Sequence, residues 1–319
     1  MKNEALETHV VRYVRLLAAP RPPGGRVLVT PDGTFREATD LRSPDVCRAD
    51  EGDCLQRVQA FDGNERFSLT DEDDLARREM IELWLPPVDG TRGLVIASRQ
   101  TLVSTFLVYQ LMAWLGHSAG DSLAALERGD RAVREGLERI VAAVGGIEIL
   151  AETRDGAWVR AAETREIGPL ATDVIVIPLP TEATGRVRLR LARGHWRIDY
   201  LASARLGSRV EPVRLAPASV RGTSTRMPQT SGPLITLPGD TYAFAFRLPA
   251  DPERYELFLE TQGYYLEWMR EEWLSEESPR RAAGLLSDPE QALRDLAPEF
   301  KKQEAQMERL FWRSRYARP

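Results

Sequence analysis

Histidine, cysteine and lysine are scarce in this chain, and their scarcity narrows the chemistry that it can perform. The 319 residues include three histidines, two cysteines and three lysines. The histidines lie far apart in sequence, and no H-E-x-x-H motif, H-x-H motif or Cys/His set with zinc spacing occurs. The chain also lacks a P-loop and a G-x-G-x-x-G fingerprint, and we expect no serine nucleophile elbow. No local motif therefore assigns a reaction to the sequence.

The charge balance argues against nucleic-acid binding. The formal net charge is -5 at pH 7 and the pI is about 5.5, whereas a protein that grips phosphates needs a basic face. Hydrophobic residues make up 43% of the chain, which is typical of a folded globular protein. No run reaches the roughly 18 uninterrupted apolar residues that a membrane span requires. We therefore expect no nucleic-acid partner and no transmembrane span.

The two cysteines, Cys47 and Cys54, leave the cellular compartment open. They are close enough in sequence to close a small loop, and a disulfide there would favour an oxidising compartment, whereas two free thiols are the alternative. The first twenty residues lack the basic start and long apolar core of a signal peptide. The chain is therefore either cytoplasmic or an exported periplasmic or cell-surface protein whose signal has been removed.

Helical spacing of apolar residues predicts helices in three places. The first twenty residues carry apolar side chains at helical intervals and end at Pro20, which predicts an amphipathic N-terminal helix. Residues 98–144 contain a stretch that is apolar nearly all round, followed by an amphipathic one, which predicts a buried helical insertion. The tail from about residue 264 carries an apolar stripe among Lys and Glu, which predicts a helical arm.

The clearest periodic signal lies in residues 186–206. Apolar residues alternate with arginine in residues 186–191, and a second alternation of apolar and charged residues begins at Trp196. Side chains on a strand point to opposite faces in turn, so each run predicts a strand with one buried face and one charged face. The short Arg193-Gly194 connection predicts that the two strands form a tight antiparallel hairpin.

The order of these patterns predicts an α+β fold. Short strands without helices between them, from residue 147 onwards, favour antiparallel pairing. We predict an antiparallel, jelly-roll-like β-sandwich with a helical insertion at 98–144 and a C-terminal helical arm. The expected regions are an N-terminal α+β region at 1–145, the sandwich region at 146–260 and the arm at 261–319.

Two arginines on the charged face of the first central strand are candidate binding residues. Arg188 and Arg190 alternate with buried positions, and guanidinium groups bind carboxylates and other anions through forked hydrogen bonds. The same face is therefore a candidate surface for an anion or an acidic partner. The alternative, which exposed strands favour, is that these arginines pair with Glu or Asp on neighbouring strands of the same sheet.

A second group of candidates combines aromatic and acidic residues near the start of the tail. Tyr264, Tyr265, Glu267 and Trp268 lie together in sequence. Aromatic rings beside paired carboxylates suit a carbohydrate site, and the carboxylates of residues 260–272 would supply the acid and base of a glycoside hydrolase. The alternative is an aromatic edge of the core whose acids face water.

An acidic cluster at residues 71–74 is the candidate metal site. Asp71, Asp73 and Asp74 are close enough to bind Ca²⁺, which takes several carboxylates in one loop. The EF-hand spacing is absent. The alternative is a helix N-cap followed by the acidic first turn of a short helix. Ca²⁺ is the one cofactor that the sequence suggests.

One segment resembles a known family. The segment that runs from Trp158 through Val187-Arg188-Leu189 to Trp196-Arg197-Ile198-Asp199 is similar to the later strands of galactose-binding-like, discoidin-type jelly-roll modules. The resemblance covers about residues 158–206. It implies a jelly roll that binds carbohydrate, lipid head groups or proteins through loops at one end, without catalysis, and with a structural Ca²⁺. It transfers no functional residue to this chain.

These observations predict a non-catalytic binding or assembly module that contacts a protein or carbohydrate partner. A long amphipathic helix at the end of a chain must dock on something, so the helical arm is expected to bind a protein partner or a second copy, or to pack on its own sandwich. The alternatives are a carbohydrate-active hydrolase that uses the carboxylates near 260–272 and a calcium-dependent ligand binder.

Overall fold

A computed structural model describes residues 1–164, 168–222 and 232–312. The fold is α+β, with several antiparallel sheets and a smaller share of helix. The described strands are, in chain order, β1 (Glu7–Pro20), β2 (Arg26–Val29), β3 (Phe35–Arg42), β4 (Val46–Ala49), β5 (Gly52–Asp53), β6 (Arg78–Trp84), β7 (Thr91–Gln100), β8 (Glu148–Thr153), β9 (Trp158–Glu163), β10 (Asp173–Pro178), β11 (Ala183–Ala192), β12 (Trp196–Val210), β13 (Val213–Leu215), β14 (Ser219–Gly222), β15 (Leu234–Thr236), β16 (Tyr242–Ala245) and β17 (Tyr255–Glu267).

The helices lie in the middle and at the end of the chain. They are α1 (Leu55–Val58), α2 (Val103–Leu115), α3 (Ala119–Glu127), α4 (Arg131–Val144), α5 (Glu271–Leu274), α6 (Pro279–Ser287) and α7 (Pro289–Phe311), with 3-10 turns at Gly116–Ser118 and Pro252–Arg254. The predicted helical insertion is confirmed as α2, α3 and α4. None of the helices in the described ranges is both long enough and apolar enough to span a membrane.

The chain forms two compact units, and each unit combines separate parts of the sequence. The first unit comprises Met1–Val27, Thr34–Ala38 and Ser208–Arg270, and the second comprises Leu28–Gly33, Thr39–Gly207 and Glu271–Pro319. This division differs from the three consecutive regions expected at 1–145, 146–260 and 261–319, because strand β1 at the start of the first region pairs with β17, which comes much later.

The first unit is organised by β1. Strand β1 pairs antiparallel with β17 along its whole length, and on its other side it pairs with β13 and β15. The predicted N-terminal helix is therefore wrong. Its β-branched and aromatic residues, such as Val10, Val11 and Tyr13, suit a pleated strand, and the ladder with β17 supplies the hydrogen bonds that a helix would otherwise make within itself.

Strand β17 also corrects the start of the C-terminal arm. The strand continues to Glu267, so the helical tail begins at α5 rather than near residue 261. Helices α6 and α7 do not project as an arm either, since Leu285, Leu293 and Phe300 are buried in an apolar cluster with α2 of the same unit. Most of the apolar stripe that was expected to dock on something is thus covered by the chain itself.

Two sheets are built largely from residues of the second unit. One is a fully antiparallel six-stranded sheet in the order β5-β4-β6-β11-β8-β9. The other strands close a barrel in the order β10-β2-β3-β12-β7, in which β10 and β2 run parallel. Apolar side chains from both sheets share one core, as Leu189 of β11, Ile96 of β7 and Ile198 of β12 show. Two β layers around a common core were expected, whereas the parallel pair was not.

The predicted hairpin between β11 and β12 is wrong. Strand β11 pairs with β6 and β8 in the six-stranded sheet, whereas β12 pairs with β7 in the barrel. The Arg193-Gly194 connection therefore passes from one sheet to the other across the core. Gly194 has a φ of +78°, and a Cβ there would lie 2.5 Å from the backbone nitrogen of Thr70. Only glycine fits this crossing without strain.

A bulge in β12 changes which of its side chains are buried. Ile198 pairs with Ser98 and Tyr200 with Ala97, so Asp199 is the extra residue. The shift brings Leu201 into the core and leaves Tyr200, which the alternation places in the core, only partly buried. Asp199 is buried and accepts a hydrogen bond from the backbone of Gly63 at 3.0 Å. Burial raises the pKa of its carboxyl group.

A disulfide joins Cys47 and Cys54, which settles the alternative that the sequence left open. The two cysteines are seven positions apart, and the bond closes a short loop that contains the end of β4 and all of β5, directly before α1.

Because cross-linking restricts the unfolded chain, we expect the Cys47→Ala/Cys54→Ala double variant to lose about 2 to 3 kcal/mol of unfolding free energy. Urea denaturation measures this. Oxidised and reduced wild-type protein should differ by a similar amount, and coincident unfolding curves would show that the bond contributes nothing.

Candidate functional site

A cavity of about 570 Å³ lies between two helices of the second unit. We call it the α2–α4 cavity. Small-molecule sites in proteins usually have volumes of about 300 to 1,000 Å³ and mostly apolar walls. The walls of this cavity are aliphatic, and they are formed by Leu107, Val108 and Leu111 of α2, Leu137, Ile140, Val141 and Val144 of α4, and Leu285 of α6.

Helix α4 presents its apolar stripe to the cavity, and Ile140 and Val144 of the stripe also pack against the buried cluster formed by α2, α6 and α7. Leu137, Ile140, Val141 and Val144 recur at the intervals that place side chains on one helix face. Asp130 caps the helix by accepting hydrogen bonds from the first backbone amides. Val141 is 55% exposed, and Val108 on α2 is 42% exposed. Water therefore contacts aliphatic side chains from both helices that line this cavity.

The polar floor of the cavity includes His195. The Nε2 atom of His195 donates a hydrogen bond to the carbonyl oxygen of Leu75 at 2.9 Å. Because a carbonyl can only accept, Nε2 carries the proton and Nδ1 is an acceptor. Burial, together with the positive charge of Arg78, lowers the pKa of His195 to about 4, although the Leu75 carbonyl acts in the opposite direction. The imidazole is therefore neutral at pH 7.

Gln100 and Thr164 supply further polar groups beside the histidine. The side-chain oxygen of Gln100 accepts a hydrogen bond from the backbone of Gly168 at 2.9 Å, which orients the amide and leaves its Nε2 group as a donor. Thr164 Oγ1 accepts from the backbone of Ile147 at 2.8 Å, so its hydroxyl proton remains a donor. The backbone nitrogen after Gln100 donates to the carbonyl of His195 at 2.9 Å, which holds the two residues side by side.

The charged groups at the rim of the cavity are held by other parts of the chain. Arg78 donates to the carbonyl oxygens of Val144 and Ala143 at the end of α4, both at 2.9 Å. Glu163 accepts from the backbone of Gly146 at 2.8 Å and forms an ion pair with Arg160. The cavity is thus lined by aliphatic walls and neutral hydrogen-bonding groups, and Glu163, the one carboxylate in the described part of the lining, is already paired.

A second polar feature of this unit is a buried ion-pair cluster. Arg66 forms a bidentate pair with Glu79, in which both nitrogen–oxygen distances are 2.8 Å, and a further pair with Glu51. Burial lowers the pKa of Arg66, but the hydrogen bonds that Arg66 donates to Glu79 and Glu51 outweigh this effect, and the net result is a raised pKa. This guanidinium is saturated by its own chain, so its role is structural.

Arg197 ties the C-terminal helix to the barrel. Its guanidinium lies between the rings of Phe67 and Trp312, 3.9 and 4.0 Å from the two centroids. It also pairs with Glu65, which lies between α1 and β6, at 3.1 Å and with Glu308 of α7 at 2.5 Å. Such stacking and pairing suit arginine better than lysine. The arginine therefore fixes α7 to β12.

The predicted arginine surface is occupied by cross-strand partners. Arg188 donates to Glu82 on β6 at 2.9 Å, and Arg190 donates to Glu148 on β8 at 2.5 Å. The pairing alternative is therefore confirmed. Arg188 also lies 4.1 Å from the ring centroid of Trp158. These partners neutralise much of the charge that an anion would need.

The aromatic and acidic candidates lie at the end of β17 in the first unit. Tyr264, Tyr265 and Trp268 are exposed, and Trp268 donates from Nε1 to the hydroxyl of Thr8 at 2.9 Å. Glu267 pairs with Arg270 at 3.7 Å. Glu260 and Glu267 are seven residues apart on one strand, so they lie on opposite faces. This arrangement does not bring those two carboxylates together around one bond.

The acidic cluster at residues 71–74 forms a turn. Asp71 accepts hydrogen bonds from the backbone nitrogens of Asp73 and Asp74, both at 3.1 Å. Asp74 accepts from Ala76 at 2.8 Å. The short helix expected as the alternative is wrong, since the segment is a turn before β6. Within the described ranges, no group of three or more His, Cys, Asp or Glu side chains is arranged to hold a metal ion.

Residues 116–120 read GHSAG and satisfy the letters of the G-x-S-x-G elbow pattern. The structure places them between α2 and α3, whereas a nucleophile elbow joins a strand to a helix. Ser118 donates its hydroxyl to the carbonyl of Leu115 at 2.7 Å. His117 pairs with Glu277 at 2.6 Å rather than with the serine. The local geometry is that of a helix–helix turn.

Neither the models of known protein families nor curated protein sequences match this chain. The resemblance to discoidin-type modules stays a prediction.

Proposed function

We propose that the protein is a non-catalytic binding module whose second unit takes up an apolar small molecule in the α2–α4 cavity. The observation that carries the proposal is the combination of aliphatic walls with a neutral polar floor in a volume of about 570 Å³. Trp, Tyr and Phe are absent from the described lining. This composition favours an aliphatic ligand over a sugar, which usually stacks on aromatic rings.

Two broader features belong to the same proposal. The Cys47–Cys54 disulfide supports an oxidising compartment, such as the periplasm or the cell surface, because thiols stay reduced in the cytosol. The shared core between two β layers supports a jelly-roll-like description of the sheets, although their order includes a closed barrel. Neither feature specifies a ligand.

Binding of the apolar dye Nile red tests the proposal. We expect saturable binding by the wild type, because the cavity offers an aliphatic site from which a bound dye displaces water. The Val141→Trp variant puts a large side chain at a lining position and should weaken binding at least about tenfold, or about 1.4 kcal/mol. Fluorescence titration measures both affinities.

The matched control is Ala142→Trp. Ala142 is the next residue of α4, is exposed and does not line the cavity. This variant should bind the dye like the wild type. Equal dye affinity of Val141→Trp and wild type, with unchanged melting temperatures, would refute the proposed site.

A protein partner is a second candidate, on the first unit. Leu257, Leu259 and Tyr265 lie on one face of β17, and Leu259 is 66% exposed. Contiguous exposed apolar residues often mark protein interfaces. Size-exclusion chromatography with light scattering, repeated on Leu259→Glu, tests for a second copy. A monomeric mass for both the wild type and the variant would exclude a homo-oligomer formed through this face.

A further inference from the structure

The hydrogen-bonding groups on the floor of the α2–α4 cavity narrow the class of ligand, on the basis of the function proposed above. We infer that the cavity selects an uncharged amphiphile, whose hydroxyl group donates a hydrogen bond to Nδ1 of His195 and accepts one from the Nε2 amide of Gln100. The long apolar part of the ligand then lies between α2 and α4.

The acceptor is set by the backbone around His195. Its Nε2 proton is committed to the Leu75 carbonyl at 2.9 Å, so the ring cannot turn its donor into the cavity. Nδ1 has no partner among the residues that the structure describes. A ligand that seals this acceptor from water adds a cost in free energy unless it donates a hydrogen bond to it. An ether or a hydrocarbon cannot do so.

The donor is set by Gln100. Its side-chain oxygen is held by the backbone of Gly168, so the amide nitrogen is the group left to bind a ligand. Its Nε2 has no partner within the described ranges. Gln100 and His195 both line the cavity, and the backbone nitrogen of Thr101, the residue after Gln100, donates to the His195 carbonyl at 2.9 Å. The donor and the acceptor are therefore neighbours, and a hydroxyl group can serve both.

The charges around the cavity disfavour an ionised head group. Arg78 is engaged by the carbonyl groups at the end of α4, and Glu163 is paired with Arg160. Among the residues that the structure describes, a carboxylate on this floor would thus lack a free cation, and an ammonium group would lack a free carboxylate. Burying an ion without a partner is costly. A neutral head group avoids this cost.

Competition between two isomers against bound Nile red tests the inference. Decanol and methyl nonyl ether have the same atoms and nearly the same length, but only decanol can donate a hydrogen bond. We expect decanol to compete at least about tenfold more strongly, which is the effect of one well-placed hydrogen bond. Decanoate, which is ionised at pH 7, should compete more weakly than decanol.

The variant Gln100→Leu should weaken the competition by decanol and by the ether alike, because the oxygen of each ligand loses its donor. Gln110→Leu is the matched control, since Gln110 lies on α2 outside the cavity lining and donates to Glu276. It should keep the wild-type affinity for both ligands. A readout that needs no variant is the nitrogen NMR signal of His195, which should shift with decanol and stay unmoved with the ether.

The outcomes separate the inference from the proposed function. Equal competition by the two isomers, with no movement of the His195 signal, overturns the inference while Nile red binding still supports the cavity. Tighter binding of decanoate than of decanol also overturns it. If Nile red does not bind, the proposed function fails, and the inference fails with it.

Discussion

The Arg66→Ala variant is expected to lose about 3 to 5 kcal/mol of unfolding free energy, which is among the largest single-residue effects in this chain. Removing the arginine leaves Glu79 buried with Ser68 as its remaining side-chain partner. A carboxylate that has lost its cation inside a protein strongly destabilises the folded state. Urea unfolding at pH 7, followed by circular dichroism, measures the loss.

Arg131→Ala provides the matched control for that experiment. Arg131 pairs with Glu135 four residues along α4, at 2.6 Å, but its side chain is 83% exposed. Solvent screens such a pair, so we expect a change of at most about 0.5 kcal/mol. Similar losses for the two variants would mean that the Arg66–Glu79 pair is not buried in solution.

Lowering the pH from 7 to 4 is expected to cost the folded protein about 3 kcal/mol through His195 alone. Its pKa falls from the ordinary 6.5 to about 4 because the ring is buried. Between these values the unfolded chain binds a proton that the folded chain does not. Stability is therefore fully present above pH 6.5 and is lost as the pH falls towards 4.

Comparison with His195→Gln isolates this contribution. Glutamine can keep a hydrogen bond to Leu75 and does not titrate, so the variant should lose less stability than the wild type over the same pH range. Asp199 acts in the opposite direction in both proteins, since burial raises the pKa of its carboxyl group and protonation there favours folding. Parallel stability profiles for wild type and variant would contradict a buried neutral histidine.

The sequence indicated where strands lie better than it indicated which strands pair with each other. The alternation in residues 186–206 identifies β11 and β12, because a half-buried strand leaves a period of two wherever it lies. Whether two such strands pair side by side or face each other across a core depends on the rest of the fold. The Arg193-Gly194 connection is short enough for either arrangement. The pairing partners of β11, which are β6 and β8, lie too far away in sequence for a local pattern to show them.

Strand β1 shows how a local pattern can indicate the wrong element. Val10, Val14 and Leu17 fit helical spacing, but Val11 and Tyr13 between them have high β propensity. The segment becomes a strand because it pairs from end to end with β17, which lies more than two hundred residues later in the chain. A segment read by itself cannot contain that information.

The candidate cavity could be predicted only in part. The apolar stripe of α4 is visible in the sequence, yet a stripe that packs on a core and a stripe that lines a cavity have the same spacing. The predicted hairpin at Arg193-Gly194 would place His195, the next residue, at its tip. His195 is buried because the connection between β11 and β12 crosses the core. The alternation predicted that Arg188 and Arg190 pair with carboxylates on neighbouring strands, but it could not identify Glu82 and Glu148 as those partners.

The most direct test of the account is amide hydrogen exchange of the intact protein with and without decanol. If the α2–α4 cavity is the binding site, exchange should slow in α2, in α4 and around His195, because a bound ligand stabilises the closed state of these segments. Exchange in β1 and β17 should stay the same. Unchanged exchange in α2 and α4, or protection confined to β1 and β17, would contradict the account.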